Sequence, residues 1–282
     1  MKKLIAVAMA LCMLVGAVCL LGSCDKADEN TLVMATNAAF PPYEFKDGDK
    51  IIGIDAEIAQ AIADKLGMKL EIVDVDFGAV LTGVSEGKYD MGMAGITVTD
   101  ERKESMDFSD TYATGVQVII VNDGSTIATL DDLWNFDAEG NPASLKNPDI
   151  KIGVQQDPTG DIYSSSALSG WGFNDLNDDE SIKTDRVVRY KTGAEAIQAL
   201  KTGKVDCVII DNEPAKSFVA ANEGIHILAG DNEYAVEDYA ICVDKGNSEL
   251  LEKINNALKD LKADGTIDGI INKYIPKDGG AQ

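Results

Sequence analysis

Two segments of this chain are built alike. Residues 86–95 read "EGKYDMGMAG" and residues 202–211 read "TGKVDCVIID": each is a helix stop, then Gly-Lys-x-Asp, then a short apolar run. Counting five from each aspartate, Asp90 leads to Gly95 and Asp206 leads to Asp211. Before the first copy the sequence alternates "TLVMATN", "DAEIAQAIADKLG", "KLEIVDV" and "FGAVLTGVSEG". Before the second come "GVQVIIV", "IKIGVQ", "RVVRY" and "GAEAIQALKTG". Strand and helix patterns in that order are the beat of βαβ units and a parallel sheet. Open α/β sheets bind ligands in the crevice beyond the carboxyl ends of their strands. The chain therefore reads as α/β with two lobes, each offering an open or polar position where a strand runs out.

Local signals agree with that frame. Ile58, Ile62 and Leu66 fall on one helical face, with Asp55 predicted as the N-cap and Gly67 as the stop. Near the end, Leu251, Ile254, Leu258 and Leu261 share a face of a packing helix that Gly265 is expected to end. Residues 134–148, "WNFDAEGNPASLKNP", are rich in turn formers and read as a surface insertion.

The opening "MKKLIAVAMALCMLVGAVCLLGSC" places Lys2 and Lys3 before an apolar run from Leu4 to Leu21. That pattern is a secretory signal, excluded from the fold; the alternative is an uncleaved N-terminal helix. The "LGSC" that ends it resembles the lipobox of bacterial lipoproteins, which implies that Cys24 is acylated and becomes the new N-terminus. Residues 1–23 are then a signal peptide and residues 24–31 a lipidated tether, anchored by several acyl chains because one alone attaches only marginally.

Charge limits the partners. Lysine and arginine number 25 against 48 aspartates and glutamates, a formal charge of −23, and removing Lys2 and Lys3 makes the mature chain more acidic still. Its general field repels nucleic acid and anionic lipid headgroups alike, so the lipid must do the anchoring. Cys12 and Cys19 leave with the signal, which leaves Cys207 and Cys242 in apolar strand-like runs, read as small core hydrophobes rather than as a bridge. No cysteine and histidine pattern has metal spacing, no cofactor is expected, and His226 reads as an ordinary strand residue.

A free amino acid taken out of water needs a guanidinium and backbone N–H donors for its carboxylate and a fixed carboxylate for its ammonium. Arg102 offers the fork, Gly95 permits close backbone approach and Thr97 adds a hydroxyl. Thr159 and Gly160 stand at a turn opening a helix, Asp211 would take the ammonium, and Phe40 and Phe77 offer aromatic walls. Each has a plainer reading: Arg102 as one more charge in "DERKE", the phenylalanines as core, Thr159 and Asp211 as helix caps.

The segments "ATNAAFPPYEF", "GIDAEIAQAIADKLG", "AGITVTDERKESMDFSDTY", "IGVQ" followed by "TG", and "VIIDN" occur in that order across nearly the whole mature chain. In them the chain resembles the solute-binding proteins of polar amino acid ABC importers, the family 3 type. The resemblance implies a type II periplasmic-binding-protein fold, each lobe a mostly parallel sheet flanked by helices and joined by two hinge strands. On it, lobe I comprises residues 32–112 and 239–276, lobe II residues 116–235, with crossovers near 112–116 and 235–239. It further implies that Arg102 clamps the α-carboxylate with Thr97 and Thr159 or Gly160, and that Asp211 and the Gly95 carbonyl receive the α-ammonium. Asn37, Phe40, Phe77 and Gln155 surround the side chain.

The implied protein is a monomer outside the cytoplasm, lipid-anchored to the outer face of the cell membrane, which is periplasmic if the host has two membranes. Its partners are a free L-amino acid, an ABC permease and, through that, an ATPase. Family members for basic ligands and for glutamine often carry an acid where this chain has Asn37, which argues against lysine or arginine. Asn37 and Gln155 favour a neutral polar, glutamine-like ligand. "QQDPTG" is one residue longer than the usual loop, and Trp171 is expected to cover the second lobe. Two other uses of the scaffold stay open: a periplasmic dehydratase-like enzyme, and a ligand-sensing module.

Overall fold

The computed structural model describes residues 30–177, 181–228 and 235–276. The signal peptide, Cys24 and nearly all of the tether lie outside them. A five-stranded sheet runs in the order Lys69–Asp74, Thr31–Thr36, Met91–Gly92, Cys242–Asp244, Met106–Phe108. Thr31–Thr36 pairs in parallel with Met91–Gly92, whereas Cys242–Asp244, returning late in the sequence, runs antiparallel to both of its neighbours. The helix Ile54–Leu66 packs Ile58 and Ile62, fully buried, beside Leu32, Met34, Ile254 and Leu258. Each such aliphatic chain contributes roughly 1.5–3 kcal/mol by leaving water.

Gly67 ends that helix in the left-handed conformation, φ 68°, as its position predicts. The N-cap is Gly53, not Asp55: Asp55 lies in the first turn, fully buried, and its carboxylate accepts the distant Gly95 amide instead. A tertiary partner has overridden the capping preference.

The second sheet has six strands. Val187–Tyr190, Ile152–Gln155 and Cys207–Asp211 run parallel, and the long strand Ala113–Asn122 lies antiparallel against the last of them. The other edge of the long strand takes Ile225–Ile227 at one end and Ala235–Tyr239 at the other. Residues 113–117 and 235–239 thus form an antiparallel ribbon leading from one sheet to the other, with Tyr239 opposite Ala113 and Ala235 opposite Gln117.

Two expectations change. Residues 134–148 are a hairpin of Trp134–Phe136 with Pro142–Leu145, pinned by Trp134, which is fully buried and stacks on Phe173 at 5.1 Å. Trp171 packs edge-on against Trp134 outside the cleft and is 44% exposed. Gly265 ends the helix Ser248–Ala263 but also opens another, Thr266–Tyr274. Cys207 and Cys242 are buried and unbridged in different sheets, and burial pushes both thiols up. His226, the exposed residue of the strand Ile225–Ile227, meets Asp123 at 2.8 Å.

Candidate functional site

A small buried cavity of about 10 Å³, room for about one water molecule, lies between the ends of the two sheets. Asn37, Phe40, Phe77, Gly95, Thr97 and Arg102 line it from the first, and Gln155, Thr159 and Asp211 from the second. Gly160 does not. A Cβ there would stand 3.0 Å from Gln117 Oε1 and 3.2 Å from the Ile209 carbonyl, so this glycine lets the helix Thr159–Ser165 pack close to its sheet. A groove of about 560 Å³, lined by Arg102, Asp157 and Arg189 among others, adjoins the cavity at Arg102.

Arg102 sits in the short helix Asp100–Ser105, whose N-cap Thr99 accepts the Arg102 amide at 3.2 Å. Its side chain is 6% exposed and lies 5.3 Å from the centre of the Phe77 ring. Nη1 donates to the Thr97 carbonyl at 2.8 Å and Nη2 to the Asp157 carbonyl at 3.1 Å, one from each side of the cavity. Five N–H donors are available, so two carbonyls do not exhaust the fork. Burial lowers the guanidinium's pKa, and the Glu237 carboxylate opposes that shift. Asp157 holds its carbonyl there at φ 75°, the left-handed region that aspartate enters more readily than most residues.

Gly95 needs to be glycine: φ is 54°, and a Cβ would stand 2.9 Å from the Phe40 ring. Its amide donates to Asp55 Oδ2 at 3.0 Å. The Asp55 carboxyl acts electrostatically on that of Glu44, and both residues are fully buried. Desolvation raises each carboxyl, Glu44 further through the Asp55 charge, while the Gly95 amide draws Asp55 back down. Two neighbouring buried carboxyls disfavour each other's ionisation, and Asp55 steadies the loop that presents Gly95.

Asp211 occupies the N-cap position of the helix Asn212–Ala221 but makes no side-chain cap. Its Oδ1 accepts the hydroxyl of Tyr239 from the crossover ribbon instead. Gly115, opposite, leaves room for that ring, since a Cβ would overlap the tyrosine hydroxyl. Burial first, then the nearby Glu237 carboxylate, raises the pKa of Asp211.

Thr97 donates to Glu237 Oε2 at 2.8 Å and lies 3.4 Å from the Thr159 hydroxyl across the cavity. Gln117 Nε2 reaches Glu237 at 3.2 Å and Thr159 at 3.4 Å. On the far wall, Gln155 Nε2 donates to Asn37 Oδ1 at 2.9 Å, and Asn37 Nδ2 to the Val75 carbonyl at 2.8 Å. Gln155 Oε1 is buried and meets no donor among the described residues.

Sequence reasoning finds an arginine and one committed aspartate here, whereas the structure adds Glu44, Asp55 and Glu237 with Gln117 and Tyr239. One signal was available. In "AVEDY" Glu237 and Tyr239 stand two apart, on one face of a strand.

The family described as bacterial extracellular solute-binding proteins, family 3, matches residues 32–277. The chain is 28% identical over 278 residues to the arginine-binding extracellular protein ArtP of Bacillus subtilis (strain 168), covering 98% of each. It is 30% identical over 250 residues to a probable histidine-binding protein of Neisseria gonorrhoeae, covering 88% of this chain and 84% of that one. Among solved structures, an ancestral arginine-binding protein bound to glutamine superposes with a TM-score of 0.73 at 37% identity, covering 89% of this chain and 100% of that one.

Proposed function

Because this chain belongs to family 3 of the bacterial extracellular solute-binding proteins, we propose that it captures a free amino acid between two lobes and hands it to an ABC permease. The observation that carries this reading is a buried cation and a buried carboxyl, Arg102 and Asp211, on one cavity. Arg102, Thr97 and Thr159 take the α-carboxylate, and Asp211 with the Gly95 carbonyl takes the α-ammonium. Burying a zwitterion without such partners costs several kcal/mol per charge.

The side chain is neutral and polar, as in glutamine. Two amides, Asn37 and Gln155, close the far wall, and the unpaired Gln155 Oε1 is an acceptor waiting for an N–H group. A glutamine complex of a relative 37% identical supports the same choice. Residues 32–112 with 239–276 act as one lobe and 116–235 as the other. The ligand favours their closing through contacts it makes only when they are shut. We assign the site no covalent chemistry, since its arginine and Asp211 are both committed to holding the ligand. Cys24 carries the lipid anchor, and a Cys24→Ala chain appearing in the culture medium is the check.

The main test is a thermal-shift screen against the common L-amino acids and cystine. A neutral polar ligand at a hundredfold its Kd should raise the melting temperature by roughly 5–10 °C. A flat response to the whole panel overturns the reading. A larger shift with arginine or histidine than with glutamine overturns the choice of ligand alone.

A further inference from the structure

Asp211 stands where a helix cap belongs and does not act as one. It precedes the helix Asn212–Ala221, yet its side chain accepts no amide of that helix, although aspartate at such a position ordinarily takes one from the first turn. Its Oδ1 accepts the hydroxyl of Tyr239 instead. We propose that Tyr239 is a positioning residue for the ligand's ammonium, holding Asp211 off its own helix so that the second carboxyl oxygen faces the cavity beside the Gly95 carbonyl. This rests on the assignment of the α-ammonium to Asp211 and Gly95.

The tyrosine is held by its main chain and by its ring. Its backbone forms an antiparallel bridge with Thr97, flanked by Val98 N donating to the Asp238 carbonyl at 3.0 Å and Ala240 N to the Ile96 carbonyl at 3.1 Å. Its own carbonyl accepts the Tyr112 amide at 2.9 Å. The ring is fully buried and meets that of Tyr43 edge-on at 5.2 Å. It also runs beside Gly95, where a Cβ would stand 3.7 Å from Cε2, and Gly115 leaves space for its hydroxyl.

The two acceptors assigned to the ammonium come from different sheets. Gly95 follows the strand Met91–Gly92 of the first, and Asp211 ends the strand Cys207–Asp211 of the second. A carbonyl and a carboxylate, both acceptors, cannot bond each other, so a third group must fix their spacing. Tyr239 is that group: its backbone is stitched to the Gly95–Thr97 segment, and its hydroxyl reaches the acid.

Asp211 has a competing partner close by. In a capped helix the donor would be the Glu213 amide, because Pro214, next in the first turn, has none. A carboxyl that rotates to reach that amide changes the direction of both its oxygens, and the Tyr239 hydroxyl opposes the rotation. The same hydroxyl draws the carboxyl, which burial and the Glu237 charge raise, back toward the ionised form that an ammonium requires.

The experiment is calorimetric titration at pH 7 with the common L-amino acids. The tightest binder is carried forward with its deamino analogue, the same molecule with hydrogen in place of the α-amino group. Tyr239→Phe keeps the ring against Tyr43 and deletes the hydroxyl. It should lower affinity for the amino acid about tenfold, the scale of a lost hydrogen bond to a charged group, and leave that for the analogue within about twofold of wild type. Placed in Asp211→Asn, the same change should cost less than about twofold more, because it acts only through the acid. Gly115→Ala, which displaces the hydroxyl and not the acid, gives a second reading of this cycle: its loss of affinity should also disappear in Asp211→Asn.

Equal losses for the amino acid and its analogue, or the full loss repeated in Asp211→Asn, make Tyr239 a packing residue and overturn the inference. Asp211→Asn alone separates the two levels. If it loses about tenfold or more while Tyr239→Phe binds as wild type, the ammonium assignment stands and the inference falls. Wild-type affinity in Asp211→Asn, or no binder in the panel, sinks the assignment and the inference with it.

Discussion

In the first sheet Gly87 turns left-handed at φ 69° after its helix, Lys88 N donates back to the Gly83 carbonyl at 2.8 Å, and Asp90 exchanges two bonds with Val33. In the second sheet Gly203 turns at φ 68°, Lys204 N donates to the Ala199 carbonyl at 2.9 Å, and Asp206 exchanges two bonds with Lys151. Both aspartates accept the neighbouring strand's amide at 2.7 Å through Oδ2. The repeated Gly-Lys-x-Asp is therefore a device that starts a strand in register. Beyond it the two strands diverge. The first pairs only over Met91–Gly92 before Gly95 bends away, and the second runs buried from Cys207 to Asp211 and ends in a carboxylate. One frame, used twice, delivers a backbone corner beside a guanidinium on one side and a bare acid on the other.

Breaking the two sides separately tests that division. The largest effect should come from Arg102→Ala, which removes the cation and both carbonyl bonds: about 2–5 kcal/mol of amino acid affinity by calorimetry. Lysine at the same place keeps the charge but not the fork and should recover only part. Asp211→Asn should cost about 1.5–3 kcal/mol of affinity, the range for a hydrogen bond to a charged group.

The same substitution should stabilise the protein at alkaline pH. Asp211 holds its proton in the folded chain well above the usual aspartate range of about 4, through burial and then Glu237. Raising the pH across that interval favours unfolding, because the unfolded chain releases the proton first. The melting temperature of Asp211→Asn should exceed wild type increasingly between pH 5 and 8, and the gain should vanish below pH 4. An equal gap at every pH would contradict the raised carboxyl.

Gly115→Ala drives a methyl into Tyr239 and should cost about 1–3 kcal/mol of stability in urea, the usual penalty for overpacking. The smallest effects belong to the repeated aspartates. Asp90→Ala strands the half-buried Val33 amide and should cost about 1–2 kcal/mol, whereas Asp206→Ala leaves the Lys151 amide open to water and should cost about 0.5 kcal/mol. Equal losses would mean that the two devices are loaded alike despite their different burial.

Features that depend on neighbours in sequence are the ones legible in the chain. Gly67, Gly87 and Gly203 mark helix ends because left-handed φ is a local demand, and Ile58 and Ile62 mark a buried face by spacing alone. Asp211 is legible because it ends a strand, and Arg102 because it follows Gly95 and Thr97 closely in the chain. Asp55 looks like a cap in sequence and is not one, because its partners, Glu44 and Gly95, come from other elements. Glu237 escapes a reading of the sequence for the same reason, since its value comes from Thr97, Gln117 and Asp211, all distant in the chain. The hairpin at Trp134 is hidden by its own turn formers, and its anchor, Phe173, lies well outside it.

The acceptor that Arg102 finds across the cavity is a peptide oxygen, at Asp157, and no side-chain replacement can delete it. What can remove it is a change of backbone angle. Position 157 thereby favours aspartate, asparagine and glycine, the residues that settle most easily at φ 75°. Variation in this loop should consequently tune how long the two sheets stay together, a residence time, while leaving the chemistry that selects the guest untouched.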